Sequence, residues 1–172
     1  RGLKGWFYMG QDKDLTRIYD RRYASGGYRE RLSGYEIARW KALEHLVKHS
    51  VAHTPTKTVL DYGCGNGLQA DLWRQVFPEA DLYFCDLSSV ALEQLISKHP
   101  EFKERSRQMT NSEAPFEDGS FDTVVSVEVM EHVGRVDAYL RDVYRLLKAG
   151  GMFVWTRPHA PTHFQLSIFS AC

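Results

Sequence analysis

Apolar residues set the first rhythm along this chain. From Tyr35 to His49, Ile37, Trp40, Leu43, Leu46 and Val47 recur at helical spacing, and Thr54-Pro55-Thr56 stops that helix. Thr58 to Tyr62 reads as a short buried strand. The stretch from about Gly67 to Phe77, with Leu68, Leu72 and Val76 on one face, is predicted helical, and Pro78 ends it. A second strand, Leu82 to Cys85, closes on Asp86. Ser88 then N-caps a helix carrying Leu92, Leu95 and Ile96. A weak strand near Ser106 to Thr110 and a strong one at Phe121 to Val127 follow. The segment "RVDAYLRDVYRLLKAGG" is an amphipathic helix with a glycine stop, and Met152 to Thr156 makes the fifth strand.

Strands alternating with helices predict an α/β fold. The expected form is a Rossmann-like, mainly parallel sheet with right-handed crossovers and helices on both faces. Residues 1–55 read as an N-terminal helical or lid segment, with "SGGY" at Ser25 to Tyr28 as a flexible turn. Residues 56–172 form the Rossmann-like part of what is one structural domain.

Composition narrows the partners. Lys+Arg and Asp+Glu balance at 22 each, which argues against a nucleic-acid partner held by phosphate neutralisation. The cluster Arg17, Arg21, Arg22, Arg29 and Arg31 is interleaved with Asp14, Asp20 and Glu30 and reads as a solvated face. Cys64, Cys85 and Cys172 sit in no C-x-x-C pattern, so reduced thiols and a cytoplasmic location are expected. No apolar run reaches the roughly 18 residues of a membrane span, and no signal-peptide core opens the chain. The chain starts at Arg1 without an initiator methionine, which points to a processed, trimmed or partial protein. No His/Cys/carboxylate cluster has metal-ligand spacing, and nothing specifies an oligomeric state.

The chemistry concentrates after the first strand, in "VLDYGCGNG" (Val59 to Gly67). In sheets of this kind ligands sit beyond the carboxyl ends of the strands, where strand order reverses. A dinucleotide fingerprint needs Gly63, Gly65 and then Gly or Ala at position 68. Position 68 is Leu68, and the third glycine comes one residue early at Gly67. A phosphate loop is excluded because no G-K-[ST] follows. Asp86, at the neighbouring strand end, offers a carboxylate that accepts from both hydroxyls of a ribose. The competing role for it is a simple helix cap.

The segments "VLDYGCGNG", "LYFCDLS", "APFEDGSFDTVVSVEVMEHV" and "LLKAGGMFVWTRP" together resemble the motif series of class I S-adenosylmethionine-dependent methyltransferases, small-molecule type. They cover about residues 57–158, in order and at the right spacing. The resemblance implies S-adenosylmethionine as cofactor, S-adenosylhomocysteine as product and a small-molecule methyl acceptor as partner. It implies that Asp61, Gly63, Cys64, Gly65 and Asn66 form the cofactor floor, and that Gly67 lets the next helix start close to the ligand. Asp86 then holds the ribose and Leu87 packs on the adenine. Family members commonly place an Asp before "PF" for the adenine amino group. This chain reads Thr110-Asn111-Ser112, so Asn111 and Ser112 take its place. Val127 and Glu128 match the segment near the methionine end, and Arg39 is in reach of the cofactor carboxylate.

Methyl transfer by in-line displacement at a sulfonium expels a neutral leaving group, so alignment carries the rate. A base is needed only for an acceptor protonated at neutral pH, and His132 is the candidate, with His159 and His163 behind it. A helix-start histidine bonded to backbone is the competing reading of His132. His45, His49 and His53 read as surface residues, and Cys64 as a small packed residue without nucleophilic chemistry. Tyr19, Tyr23, Tyr28 and Trp40 are lid candidates, Trp40 alternatively core. The resemblance also implies a sheet of seven strands with the last antiparallel. Only sixteen residues follow Thr156, so the last two strands are expected to be lacking. A truncated or catalytically silent cofactor-binding module is therefore the alternative function, with a nicotinamide-dependent oxidoreductase as the outsider.

Overall fold

The computed structural model describes residues 12–26, 34–51, 56–110, 113–160 and 163–170. Two helices, α1 (Asp12–Ala24) and α2 (Gly34–Val51), precede the sheet. Then follow β1 (Thr58–Tyr62), α3 (Ala70–Val76), β2 (Asp81–Asp86), α4 (Ser89–Lys98), a 3-10 turn (Pro100–Arg105) and β3 (Ser106–Gln108). The second half contains β4 (Phe121–Val127), a 3-10 turn (Met130–His132), α5 (Val136–Leu146), β5 (Leu147–Ala160) and β6 (His163–Ser170).

The strands form one sheet in the order β3-β2-β1-β4-β5-β6. Strands β1 to β5 are parallel, as expected, and strand order reverses between β1 and β4. Alternate residues of each strand feed opposite faces. On one face Val59, Phe84, Val125 and Val154 pack against Leu43 and Val47 of α2, Leu72 and Trp73 of α3, and Leu92 and Leu95 of α4. On the other, Leu60, Tyr62, Cys85, Val124 and Phe153 pack against Tyr139, Val143 and Leu146 of α5. Helices thus cover both faces.

Three elements differ from the sequence-based expectation. The tail after Thr156 is not strandless: β6 pairs antiparallel with β5 from Met152↔Ser170 to Ala160↔His163, making a sixth strand. Helix α3 starts at Ala70 instead of Gly67, because the left-handed φ of Gly67 (+73°) is incompatible with a helical start. Helix α5 ends at Leu146, before its glycines. Leu147 turns extended, pairs with Phe121 and is buried against β4, and Lys148 reaches Asp122 Oδ1 (2.9 Å). Asp122 Oδ2 also accepts the N–H groups of Lys57 and Thr58 (2.9 Å each), which closes the sheet at the end away from the glycine loop.

Candidate functional site

The loop after β1 is built from three left-handed glycines, with φ of +77° at Gly63, +55° at Gly65 and +73° at Gly67. Gly63 N–H and Cys64 N–H both donate to Cys85 O (2.8 and 3.0 Å), which fastens the loop to the end of β2. Each glycine faces a different neighbour. A Cβ on Gly63 would collide with Val129, one on Gly65 with the Tyr23 hydroxyl, and one on Gly67 with Leu95 of α4. The missing side chain at Gly67 is thus already explained by helix packing. Asn66 is buried within the loop.

Asp86 joins the loop to the second strand. Its Oδ2 accepts Gly65 N–H and its Oδ1 accepts Ser88 N–H, both at 2.8 Å. Ser88 caps α4 as expected, its Oγ accepting Ala91 N–H (3.1 Å) and donating to Asp20 Oδ1 of α1 (2.6 Å). Asp86 is therefore more than a cap: it spans the gap between two strand ends. Burial pushes its carboxyl up to about 6, with Asp20 adding to the rise against the backbone amides of Ser88, Gly65 and Leu87. Asp61 points into the core, where Trp73 Nε1 donates to its Oδ2 (2.8 Å). Burial raises its carboxyl to about 7, opposed by that hydrogen bond and reinforced by Asp86. Burial also holds the Cys64 thiol well above its ordinary range, so the thiol stays protonated and is no nucleophile.

On the other side of the reversal point, β4 ends at Val127, which pairs with Thr156. Glu128 has φ +56° and is the only non-glycine left-handed residue among those described. Its N–H donates to Thr156 O and Oγ1 (3.2 Å each), so the strained turn is held by β5. His132 is half-buried one turn later, its N–H donating to Val129 O (2.8 Å) and its ring edge-on to Tyr19 at 6.2 Å. Burial, with Arg22 adding and Glu128 opposing, lowers its pKa, so the imidazole is neutral at physiological pH. Leu87 is half-buried and packs on the cluster that holds Met109 and Ala114.

The structure thus brings Gly63, Gly65, Asp86, Leu87, Val127, Glu128 and His132 to one end of the sheet. Asp61 lies beneath them with its side chain turned to α3. Asn111, Ser112, Tyr28, His53 and Cys172 lie outside the described residues, as do the side chains of Arg39, His159 and His163. His45 and His49 are exposed on α2, and Trp40 packs on the first core. Sequence reasoning missed Asp20 and Trp73. Neither carries a local signal, because their partners lie 68 and 12 residues away.

A buried carboxylate tied to a glycine loop beside the reversal point of a parallel sheet is an arrangement that suits a nucleoside ligand. The methyltransferase domain family matches residues 60–155, more than half of the chain, and the chain belongs to that family, whose cofactor is S-adenosylmethionine. Among curated relatives, the fatty-acid O-methyltransferase of Mycolicibacterium smegmatis is 33% identical over 121 residues, covering 70% of this chain and 44% of that protein. This chain thus spans less than half the length of that relative. Phosphoethanolamine N-methyltransferase 2 of Haemonchus contortus, solved with S-adenosylmethionine, aligns with a TM-score of 0.57 and 27% identity, over 69% of this chain and 28% of that one. The [4+2]-cyclase SpnF aligns with a TM-score of 0.65 and 19% identity, over 86% of this chain and 60% of that one, and shares the fold.

The residues present fit the cofactor. Asp86 is a hydrogen-bond acceptor of the kind a ribose hydroxyl needs, and the ionised carboxylate suits a ligand bearing positive charge. Among the described residues no group of three or more His, Cys, Asp or Glu could hold a metal ion, and no helix is long and apolar enough to cross a membrane.

Proposed function

We propose that this chain is the cofactor-holding part of a methyltransferase that acts on a small-molecule acceptor. The observation that carries this reading is the Asp86 bridge, which joins Gly65 of the glycine loop to the end of β2 and puts a carboxylate at the point where strand order reverses. Bound there, S-adenosylmethionine supplies a methyl group on a sulfonium. Asp86 holds the ribose, Leu87 borders the base, and Gly63, Cys64, Gly65 and Asn66 form the floor. Val127 and the Glu128 turn border the methionine end, on the side where His132 stands. Helix α1, latched by Asp20 to Ser88 and laying Tyr23 over Gly65, serves as the lid.

The neutral, half-buried His132 is placed to take a proton from a hydroxyl acceptor, and an acceptor that is already an anion needs no such base. The balanced charge favours a small molecule over nucleic acid, and the buried thiols Cys64 and Cys85 fit a reducing, cytoplasmic compartment. A screen of radiolabelled methyl transfer to carboxylates, phenols, amines and sugars tests the reading. Transfer to one class supports it, and tight cofactor binding without any transfer makes the chain a binding module only.

The two raised carboxyls give a pH prediction. As pH falls from 8 through 7 and 6, first Asp61 and then Asp86 takes up a proton and loses its negative charge. S-adenosylmethionine carries the sulfonium charge that S-adenosylhomocysteine lacks. The preference for the charged ligand therefore grows from pH 5.5 to pH 8, by roughly tenfold for an interaction of about 1.4 kcal/mol. Calorimetry of both ligands at the two pH values measures it, and a flat ratio contradicts the placement of the sulfonium near these carboxylates. The sign for folding is opposite. The native state binds the extra protons, so the stability these groups contribute is present below about 3.8 and is lost as pH rises through 6 to 7.

A further inference from the structure

Helix α2 presents two histidines on its outer side, one turn apart. His45 and His49 stand at i and i+4, the spacing that sets side chains one above the other. Leu43 and Val47 of the same turns are buried in the first core, so the helix is held on one side and both imidazoles are exposed on the other. The ring centroids are 4.1 Å apart, with 42° between the planes. In sequence the pair reads as two surface residues, and the structure brings the two rings into contact.

The ring nitrogens are not equivalent. His49 Nδ1 lies 2.7 Å from His45 O, and a carbonyl oxygen only accepts, so Nδ1 carries a proton. The neutral ring then has its lone pair on Nε2, at the outer end of the side chain. A backbone carbonyl on the second ring N–H is a common way of fixing the tautomer and orientation of a metal-binding histidine. Nitrogens that share one ion at about 2.0–2.1 Å each lie about 3 Å apart. Two exposed rings already this close reach that separation by rotation about side-chain bonds, with the helix unmoved.

The surrounding charges agree with a bound cation. Lys48, beside His49, is paired with Glu44 at 2.7 Å, and Lys41, one turn before His45, is exposed and solvated. His49 stands in the last turn of α2, where the carbonyl end of a helix favours positive charge. Among the described residues no three His, Cys, Asp or Glu side chains form a metal-holding group, so the pair supplies two ligands and water the rest.

We infer that His45 and His49 form a two-ligand site on α2 for a divalent transition-metal ion of the nickel, copper or zinc class. Imidazole suits these ions, whereas magnesium and calcium take oxygen ligands. The ion clips the last turns of the helix whose inner side carries Leu43 and Val47, so its binding stabilises the folded chain. The site is separate from the proposed methyl-transfer chemistry, and the inference does not rest on the cofactor reading.

The test is calorimetric titration of the untagged chain with nickel chloride, copper chloride and magnesium chloride, in wild type, His45→Ala and His49→Ala, with His132→Ala as control. Both α2 substitutions fall on an exposed face, so the metal-free melting temperature is expected to change little. Wild type is expected to bind nickel, to bind copper more tightly, and to give no saturable heat with magnesium. Either α2 substitution is expected to weaken nickel about tenfold or more and to remove the nickel-induced rise in melting temperature, while His132→Ala keeps both. A loss below about threefold in either α2 variant overturns the inference. So does a variant that keeps wild-type affinity at reduced stoichiometry, which is what two separate sites give. Magnesium bound as tightly as nickel, loss of nickel binding in His132→Ala, or a wild type that binds no nickel each overturns it as well.

Discussion

Asp86→Ala is expected to weaken S-adenosylhomocysteine binding by at least about a hundredfold in a chain that still folds. The carboxylate spans the ends of β1 and β2, with Gly65 N–H on one oxygen and Ser88 N–H on the other. Two hydrogen bonds from a ribose to a charged acceptor are worth roughly 1.5–3 kcal/mol each. Their joint loss corresponds to about 10² to 10⁴ in affinity. The substitution also frees Gly65 N–H, while the Gly63 and Cys64 amides keep the loop fastened to Cys85 O. Relief of a buried charge whose carboxyl is raised to about 6 offsets the lost amide bonds, which is why the fold survives. Calorimetry and circular dichroism on the same sample decide the matter. Unchanged affinity in a folded variant removes Asp86 from the site.

Gly67→Ala is expected to be the most damaging of the loop substitutions for stability. Two costs add there. A left-handed φ of +73° costs a residue with a Cβ roughly 1–2 kcal/mol. The new methyl also collides with Leu95, a fully buried residue of α4, and overpacking of that kind costs about 1–3 kcal/mol. For a chain of this size each kcal/mol lowers the melting temperature by about 2–4 °C, so a fall of about 5–15 °C is expected. Gly119→Ala separates the two costs, because its φ is +65° and a Cβ there meets nothing within 4 Å. It should lose only the conformational share. Equal melting temperatures for the two variants would mean that Leu95 yields without cost and that α4 is not packed on the loop.

Much of this arrangement was legible in the residues. Strands β1, β2 and β4 are short apolar runs that must be buried, and their bounds came within a residue of those observed. The Ser88 cap and the glycine loop were also readable, because each depends on contacts within a few residues. The end of α5 was not. Leu146 and Leu147 continue the helical apolar spacing, and only the pairing of Leu147 with Phe121 turns the chain into β5. Strand β6 did carry a signal, since Phe164, Leu166 and Ile168 alternate at period two within the sixteen residues after Thr156. Asp142 and Asp20 show the harder limit. In sequence each is one more charge on a helix, and their roles come from partners on other elements that no spacing rule connects.

The same distinction separates the cofactor from its chemistry. The glycine spacing alone excluded a dinucleotide fingerprint, since Leu68 stands where a small residue is needed. The structure adds that Asp86 and Gly65 are joined by a hydrogen bond, so the proposed site takes the loop and the acid as one unit. On the side where we propose that the acceptor enters, Tyr19 of α1 meets the His132 ring of the turn after β4, with Arg22 over Tyr19.

Calorimetric titration of the wild-type chain with S-adenosylhomocysteine, S-adenosylmethionine and NAD tests the central claim most directly. Both sulfur ligands are predicted to bind at one site per chain and NAD to give no saturable heat. Binding of NAD, with neither sulfur ligand bound, would contradict the account.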